Sequence, residues 1–378
     1  MMIDLMAAEV IADPYPFLAQ ERDRHDIAWH EDMGMYLTFT HELSSAVLRD
    51  RRLGRVWIDR EPASYLEPFN LLHRNQMMEN EPPEHTRLRR PVAAAFQRGH
   101  VERLRPRVQA LAGQLLDELG PSFDAIEDFA EPLPVLMIAE LLGVPNADVA
   151  SLRAWSQAIV RMYEPGPTQE VIDAAVVAAQ EFADFSRQLV AARRSQPLDN
   201  DLITELAASE LSDDEVVAAV VLLLNAGHEA SVNVFGNGLV GLLRSGSRPA
   251  DDPSLTVEEM LRFDSALQLF ERTAMKPVQL GEVLLEPGQK VAALLGAANR
   301  DPAVFADPDH FVADRDPNNH LAFGAGLHFC LGSPLARMEL VESLTVLFQR
   351  YPGLRLDGDP TSRGTFVLRG YTHVSVSG

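Results

Sequence analysis

The chain has 378 residues, with 55 Asp plus Glu against 33 Lys plus Arg, a net charge of −22 and one cysteine, Cys330. A lone cysteine excludes an internal disulfide and a Cys-rich zinc site, and so acidic a chain repels nucleic-acid phosphates and anionic membrane surfaces. The hydrophobic fraction of 46% is ample for a packed core, which argues against wholesale disorder.

The first residues carry Asp4, Glu9 and Asp13 and no early basic cluster, so they lack the cationic start of a secretory signal. A short strand is expected at 36–39. Leu104, Val108, Leu111, Leu115, Leu116 and Leu119 recur at helical spacing, and Gly120-Pro121 ends that helix. Residues 133–142 give another helix, stopped by Gly143 and Pro145, and 171–194 a third. The clearest helix runs from Asp213 to about Leu243. Ser212 can cap it, and Glu215 completes a capping box. About 30 residues at 1.5 Å each make a rod of roughly 45 Å, long enough to cross the whole molecule.

The apolar run of that helix, 216–224, is far short of a bilayer span and leads into Asn225, His228 and Glu229, which are costly in lipid. Gly227 in mid-helix costs about 1 kcal/mol. Polar groups and glycine inside an otherwise strong helix mark either a functional site or a kink with a satisfied polar cluster. Further on, 278–285 with Gly281 reads as a hairpin, 291–295 as a strand, 334–350 as a helix, and the alternating segment 365–376 as added strands. The fold class is mainly α with small β-sheets. No composition shift marks a domain boundary, so 1–378 reads as one domain, soluble and in a reducing compartment.

The most informative segment is Phe323-Gly324-Ala325-Gly326-Leu327-His328-Phe329-Cys330-Leu331-Gly332. Its first two glycines, Gly324 and Gly326, permit a tight turn, and the helix that follows puts Cys330 at a helix N-terminus. There the dipole and free N–H groups favour thiolate over thiol. Gly332 keeps the surface beside the sulfur flat enough for a large planar ligand. No second soft ligand lies nearby in sequence. A thiolate alone on a metal implies a metal that brings its own equatorial ligands, as haem does. Taken by itself, a single cysteine is more often an inert buried hydrophobe.

This segment resembles the haem-binding loop of the cytochrome P450 family, Phe-Gly-x-Gly-x-His-x-Cys-x-Gly, at every fixed position. The resemblance extends over about residues 10–376. It implies the cytochrome P450 fold with a long central helix over the haem. It also implies haem b (iron protoporphyrin IX) as cofactor, with Cys330 as the axial thiolate. Glu259-Met260-Leu261-Arg262 resembles the family's Glu-x-x-Arg helix, a pair buried behind the haem that locks a downstream Arg, here expected to be Arg315. Asn299-Arg300-Asp301-Pro302 also looks like the family. His85, Arg89, Arg272 and His328 match family positions that pair with the haem propionates. Each alone would be an ordinary surface charge.

Glu229 falls where the family carries an acid on the central helix, and the small Ala226 and Gly227 suit a helix passing over the haem. The family's next residue is commonly Thr, whose hydroxyl holds water and passes protons toward the oxygen being reduced. Here it is Ala230. Ser231 follows, but one residue along a helix turns about 100° away. Three outcomes follow: a substrate hydroxyl or an ordered water completes the proton relay, which is the one expected here; electrons couple poorly to product; or the chemistry depends less on standard proton delivery. Asn225 can bind a polar substrate group or its own helix. A second departure is the short stretch between Leu243 and Thr256, where many relatives carry an extra helix.

The resemblance also assigns a substrate pocket: the loop 55–72 with Trp57, the helix stretch with Leu222, Asn225 and Ala226, then Leu267, Gln268 and Leu269, and Phe366 with Val367. It implies O2 and a medium-to-large, mostly apolar organic substrate of bacterial natural-product tailoring, macrolide tailoring among them. It further implies a cytoplasmic monomer fed by a ferredoxin and ferredoxin reductase with NAD(P)H-derived electrons. With seven arginines against two acids, 84–107 could dock an acidic ferredoxin, or simply pair with propionates and solvent. Neither nucleic acid nor membrane is expected as a partner. The expected activity is monooxygenation, by hydroxylation or epoxidation. A peroxide-driven or oxidative-coupling enzyme and a non-catalytic haem-binding sensor are the alternatives.

Overall fold

The computed structural model describes residues 2–144, 149–199 and 201–378. The chain divides into two compact units. One comprises Met1–Gly54, Arg105–Glu131 and Ala230–Gly378, and the other Arg55–Leu104 and Pro132–Glu229.

The first unit carries every strand found among the described residues. Its main sheet has five strands, in the order Ile27–His30, Met35–Thr38, Lys290–Leu294, Leu269–Ala274, Leu53–Gly54. The second and third of these run parallel, with Tyr36 opposite Val291. The hairpin read at 278–285 forms, with Val278–Leu280 antiparallel to Val283–Leu285. The segment 365–376 forms strands only in its later half, Tyr371–His373 and Ser375–Ser377. Phe366 and Val367 instead close onto an apolar cluster with Leu37, Phe39, Leu269 and Leu294. The helices Pro253–Phe263 and Ser333–Arg350 carry the residues around the cysteine loop.

The second unit is helical, built from Glu67–Arg74, Glu84–Ala93, Pro132–Leu142, Val149–Val160, Gln169–Ser195 and Leu202–Ala207. Pro132–Leu142 ends at Gly143, whose φ of +77° a side chain would resist. Pro145, expected to stop the same helix, lies outside the described residues.

The long helix spans Asp213–Arg244. Its capping box forms: Ser212 N–H donates to Glu215 Oε2 at 2.8 Å, and Glu215 N–H donates to Ser212 Oγ at 3.3 Å. It is long and apolar enough to cross a membrane, and 67% of its apolar window is buried inside the protein. Its glycines have packing reasons. A Cβ at Gly227 would come 2.9 Å from Ile138 of the helix Pro132–Leu142, and one at Gly238 would come 2.4 Å from Met260. Gly238 thus lets the long helix lie close against the helix that holds Glu259. Between Arg244 and Pro253 there is no helix. Arg248 bridges that stretch, its guanidinium 5.9 Å from the Phe348 ring centre and its Nε–H bonded to the Pro352 carbonyl at 3.2 Å.

Candidate functional site

In the first unit, the cysteine loop owes its shape to two glycines with φ of +68° (Gly324) and +70° (Gly326). A Cβ on Gly326 would sit 2.5 Å from the Leu48 carbonyl oxygen, so the loop lies directly on the end of the helix His41–Arg49. Cys330 N–H then donates to the Phe323 carbonyl at 2.9 Å, closing the loop across its mouth. Gly332 precedes the helix Ser333–Arg350, with Pro334 in its first turn. Cys330 is half-buried, while Phe329 is 41% exposed.

Among the described residues no three His, Cys, Asp or Glu side chains converge as a metal site. The residues present fit a porphyrin-held iron.

Glu259 and Arg262 are completely enclosed at 0% exposure, not the surface pair that spacing alone would give. Arg262 Nε–H and Nη2–H donate to the two Glu259 oxygens at 2.7 Å each. Arg315 Nε–H reaches Glu259 Oε2 at 3.0 Å, and Val312 N–H reaches Oε1 at 2.9 Å. Sequence reasoning missed the link from this cluster to the cysteine loop, which is Asn299. Its carbonyl accepts Arg262 Nη1–H at 2.8 Å, and its Oδ1 accepts the Leu321 N–H at 2.7 Å, two residues before Phe323. The Asn299-Arg300-Asp301-Pro302 motif was the available signal.

Two of the four expected cations lie in this unit. Arg272 is buried on the strand Leu269–Ala274, its guanidinium 5.8 Å from the Phe270 ring centre and its Nη1–H on the Glu271 carbonyl at 2.8 Å. His328 is half-buried in the turn Gly326–His328. Leu267, Leu269, Phe366 and Val367 come together, with Gln268 N–H on the Val367 carbonyl at 2.9 Å. Gln268 is 0% exposed; its amide N–H donates to the Ser265 carbonyl at 2.6 Å and to Tyr15 Oη at 3.3 Å, and its Oε1 is enclosed without a hydrogen-bond partner. Phe366 is 1% exposed. Ala230 is exposed, whereas Ser231 is buried.

In the second unit, His85 and Arg89 share the inward face of Glu84–Ala93, while Thr86, Arg87 and Arg90 point outward. Arg87 is neutralised by Glu84, and by Glu215 at 2.5 Å. Arg105, which belongs to the first unit, is paired with Glu342 there. The arginine-rich stretch 84–107 is thus less cationic than its count suggests, and the Arg98 side chain lies outside the described residues.

On the long helix, Leu222, Asn225, His228 and Glu229 are buried, while Ala226 is exposed and Gly227 partly so. Glu229 Oε1 lies 3.6 Å from His228 Nδ1. Asn225 Oδ1 is enclosed without a hydrogen-bond partner, so its carbonyl is not bonded back to its own helix. Trp57 is stacked on His73 at 4.7 Å between ring centres, with its Nε1–H on Asp59 at 2.9 Å. His73 in turn stacks on Phe69 at 4.0 Å, places Nδ1 2.7 Å from the Phe69 carbonyl and Nε2 3.1 Å from Tyr163 Oη. Burial pulls the His73 pKa down to about 4. A neutral imidazole thus anchors the loop 55–72, a role that a lone His in sequence does not signal.

The profile of the cytochrome P450 family matches residues 254–366. The chain is 35% identical to the cytochrome P450 monooxygenase PikC of Streptomyces venezuelae, over 94% of this chain and 88% of that one. It is 39% identical to the 6-deoxyerythronolide B hydroxylase of Saccharopolyspora erythraea, over 79% of this chain and 76% of that one. Among solved structures, P450BioI in complex with an acyl carrier protein ligated to hexadec-9Z-enoic acid matches with a TM-score of 0.93. The identity is 29%, over 98% of this chain and 99% of that one.

Proposed function

Since the chain belongs to the cytochrome P450 family and is a monooxygenase of that family, we propose that Cys330 is the thiolate that would hold the iron of haem b and that one oxygen atom of O2 enters a medium-to-large organic substrate. The observation that carries this reading is the position of the only cysteine in the sequence, in a glycine-shaped loop closed by its own N–H. When bound, the haem iron supplies the binding and activation of O2, with the second oxygen atom leaving as water.

The chain's own residues have four tasks. The N–H groups at the start of Ser333–Arg350 stabilise the Cys330 thiolate. Arg272 and His328 in the first unit, and His85 and Arg89 in the second, are the cations that the family resemblance assigns to the haem propionates. Glu229, with His228 Nδ1 3.6 Å from its Oε1, is the acid set beside Ala230 on the long helix. Asn225 presents an unused carbonyl to a substrate hydroxyl or N–H. The methyl of Ala230 can neither accept nor pass a proton, so a substrate hydroxyl is read as completing the relay.

The relative named 6-deoxyerythronolide B hydroxylase supports hydroxylation, and we infer a medium-to-large, mostly apolar substrate, hydroxylated or epoxidised in secondary metabolism. We take residues 1–378 as one domain, monomeric and cytoplasmic, with electrons supplied by a ferredoxin and its reductase. The test is product formed per electron consumed, in wild type and Ala230→Thr, with the natural substrate. Equal or poorer coupling in the Thr variant is expected. Markedly better coupling would defeat the substrate-assisted relay.

A further inference from the structure

Glu258 stands one residue before Glu259, yet none of its bonds goes to the Glu-x-x-Arg cluster. Its carboxylate is held from two sides. Arg337 donates Nε–H to Oε1 at 2.6 Å and Nη2–H to Oε2 at 2.9 Å, a two-point fork. His320 Nε2 lies 2.9 Å from Oε2. His320 Nδ1 accepts the Ala322 N–H at 3.2 Å, which leaves the ring proton on Nε2, donated to Glu258. Burial pushes the Glu258 carboxyl up, but the bonds from Arg337 and His320 outweigh it and hold the pKa at about 2.

The guanidinium so fixed lies 4.5 Å from the centre of the Phe323 ring. The Phe323 carbonyl in turn accepts the Cys330 N–H. Glu258 therefore grips the chain entering the cysteine loop at two points. One is His320. The other, three residues on, is Phe323, gripped through Arg337.

We propose that Glu258, acting through His320 and Arg337, is a positioning residue for the thiolate: it fixes Phe323 and thereby the carbonyl that accepts the Cys330 N–H and orients Cys330. This rests on the assignment of Cys330 as the iron ligand. A fork of two charge-assisted bonds is directional, so lysine at 337 would keep the charge and lose the orientation.

The test uses the haem-loaded enzyme. Glu258→Gln keeps the side-chain size but aims an amide N–H at Arg337. It should speed haem transfer to excess apomyoglobin about ten-fold and shift the reduction potential. Arg337→Gln should do the same, and the double variant should do no more than either, because both break one chain of contacts. Glu258→Asp should restore part of each effect. Should Glu258→Gln fail to load haem, Arg337→Lys carries the same measurements and should fall between wild type and Arg337→Gln. Wild-type haem loss and potential in the variants would overturn the proposal. So would a lower melting temperature with an unchanged potential, or effects that add. A wild type without the red-shifted carbon-monoxide band would instead remove the ligand assignment itself.

Discussion

Gly324→Ala and Gly326→Ala form a matched pair. Both positions have nearly the same positive φ, +68° and +70°, so each substitution incurs the left-handed penalty of about 1–2 kcal/mol. They differ in what the new methyl meets. At 324 the nearest atoms are Phe270 Cε2 at 3.5 Å and the His328 carbonyl oxygen at 3.9 Å, both ordinary contacts. At 326 they are the Leu48 carbonyl oxygen at 2.5 Å and Arg49 Cα at 3.0 Å. These are backbone atoms at the end of a helix and cannot rotate away. The loop or the helix must shift, which adds about 1–3 kcal/mol of overpacking. Gly324→Ala should therefore cost about 1–2 kcal/mol and Gly326→Ala about 2–5. Because Phe329 N–H bonds to the Gly326 carbonyl at 3.2 Å, the shift reaches the residue beside Cys330. Gly326→Ala should then also lose haem faster. Urea unfolding midpoints and haem-transfer rates measure both effects. Equal midpoints, or greater damage at 324, would refute the steric reasoning.

Glu259→Gln leaves the fully enclosed Arg262 without its counter-ion and should cost about 3–5 kcal/mol in urea unfolding. A loss below about 1 kcal/mol would contradict the buried cluster. His73 titrates at about 4 when folded, against 6.5 when exposed. Between those values the unfolded chain binds a proton that the folded chain refuses, so stability falls as pH drops through that window and is intact above it. Melting wild type and His73→Phe at about pH 7 and about pH 5 should show a shallower pH slope in the variant, and an unchanged slope would contradict the neutral anchor. Asn225→Leu replaces an unpartnered buried carbonyl and should raise stability of the ligand-free protein by about 1 kcal/mol. A loss of stability would mean that the amide is held by the protein and not kept for a substrate.

The long helix and the cysteine loop were legible because their signals are local. Ser212 and Glu215 lie three residues apart, and Gly324, Gly326 and Cys330 lie within one short turn. The main sheet was only partly legible. Its strand Leu269–Ala274 carries Glu271 and Arg272 in place of a clean alternation, and Met35–Thr38 finds its parallel partner about 250 residues away. Distance in sequence also hid the partner of Gln268: its amide N–H reaches Tyr15 Oη, from the start of the chain. Glu258 was hidden by its neighbour: Glu259 belongs to a motif, and the partners His320 and Arg337 become visible only when helix and loop are assembled. Glu259, Arg262 and Arg315 were legible only through the motif, since an i,i+3 pair of this kind is normally a surface feature.

The spectrum of the reduced carbon-monoxide complex, taken for wild type and Cys330→Ala, tests thiolate ligation most directly. The wild type should show the red-shifted Soret band of a thiolate-bound haem, and the variant should lose it while keeping its helical content. A haem-loaded wild type without that band, or a variant that retains it, would contradict the assignment of Cys330.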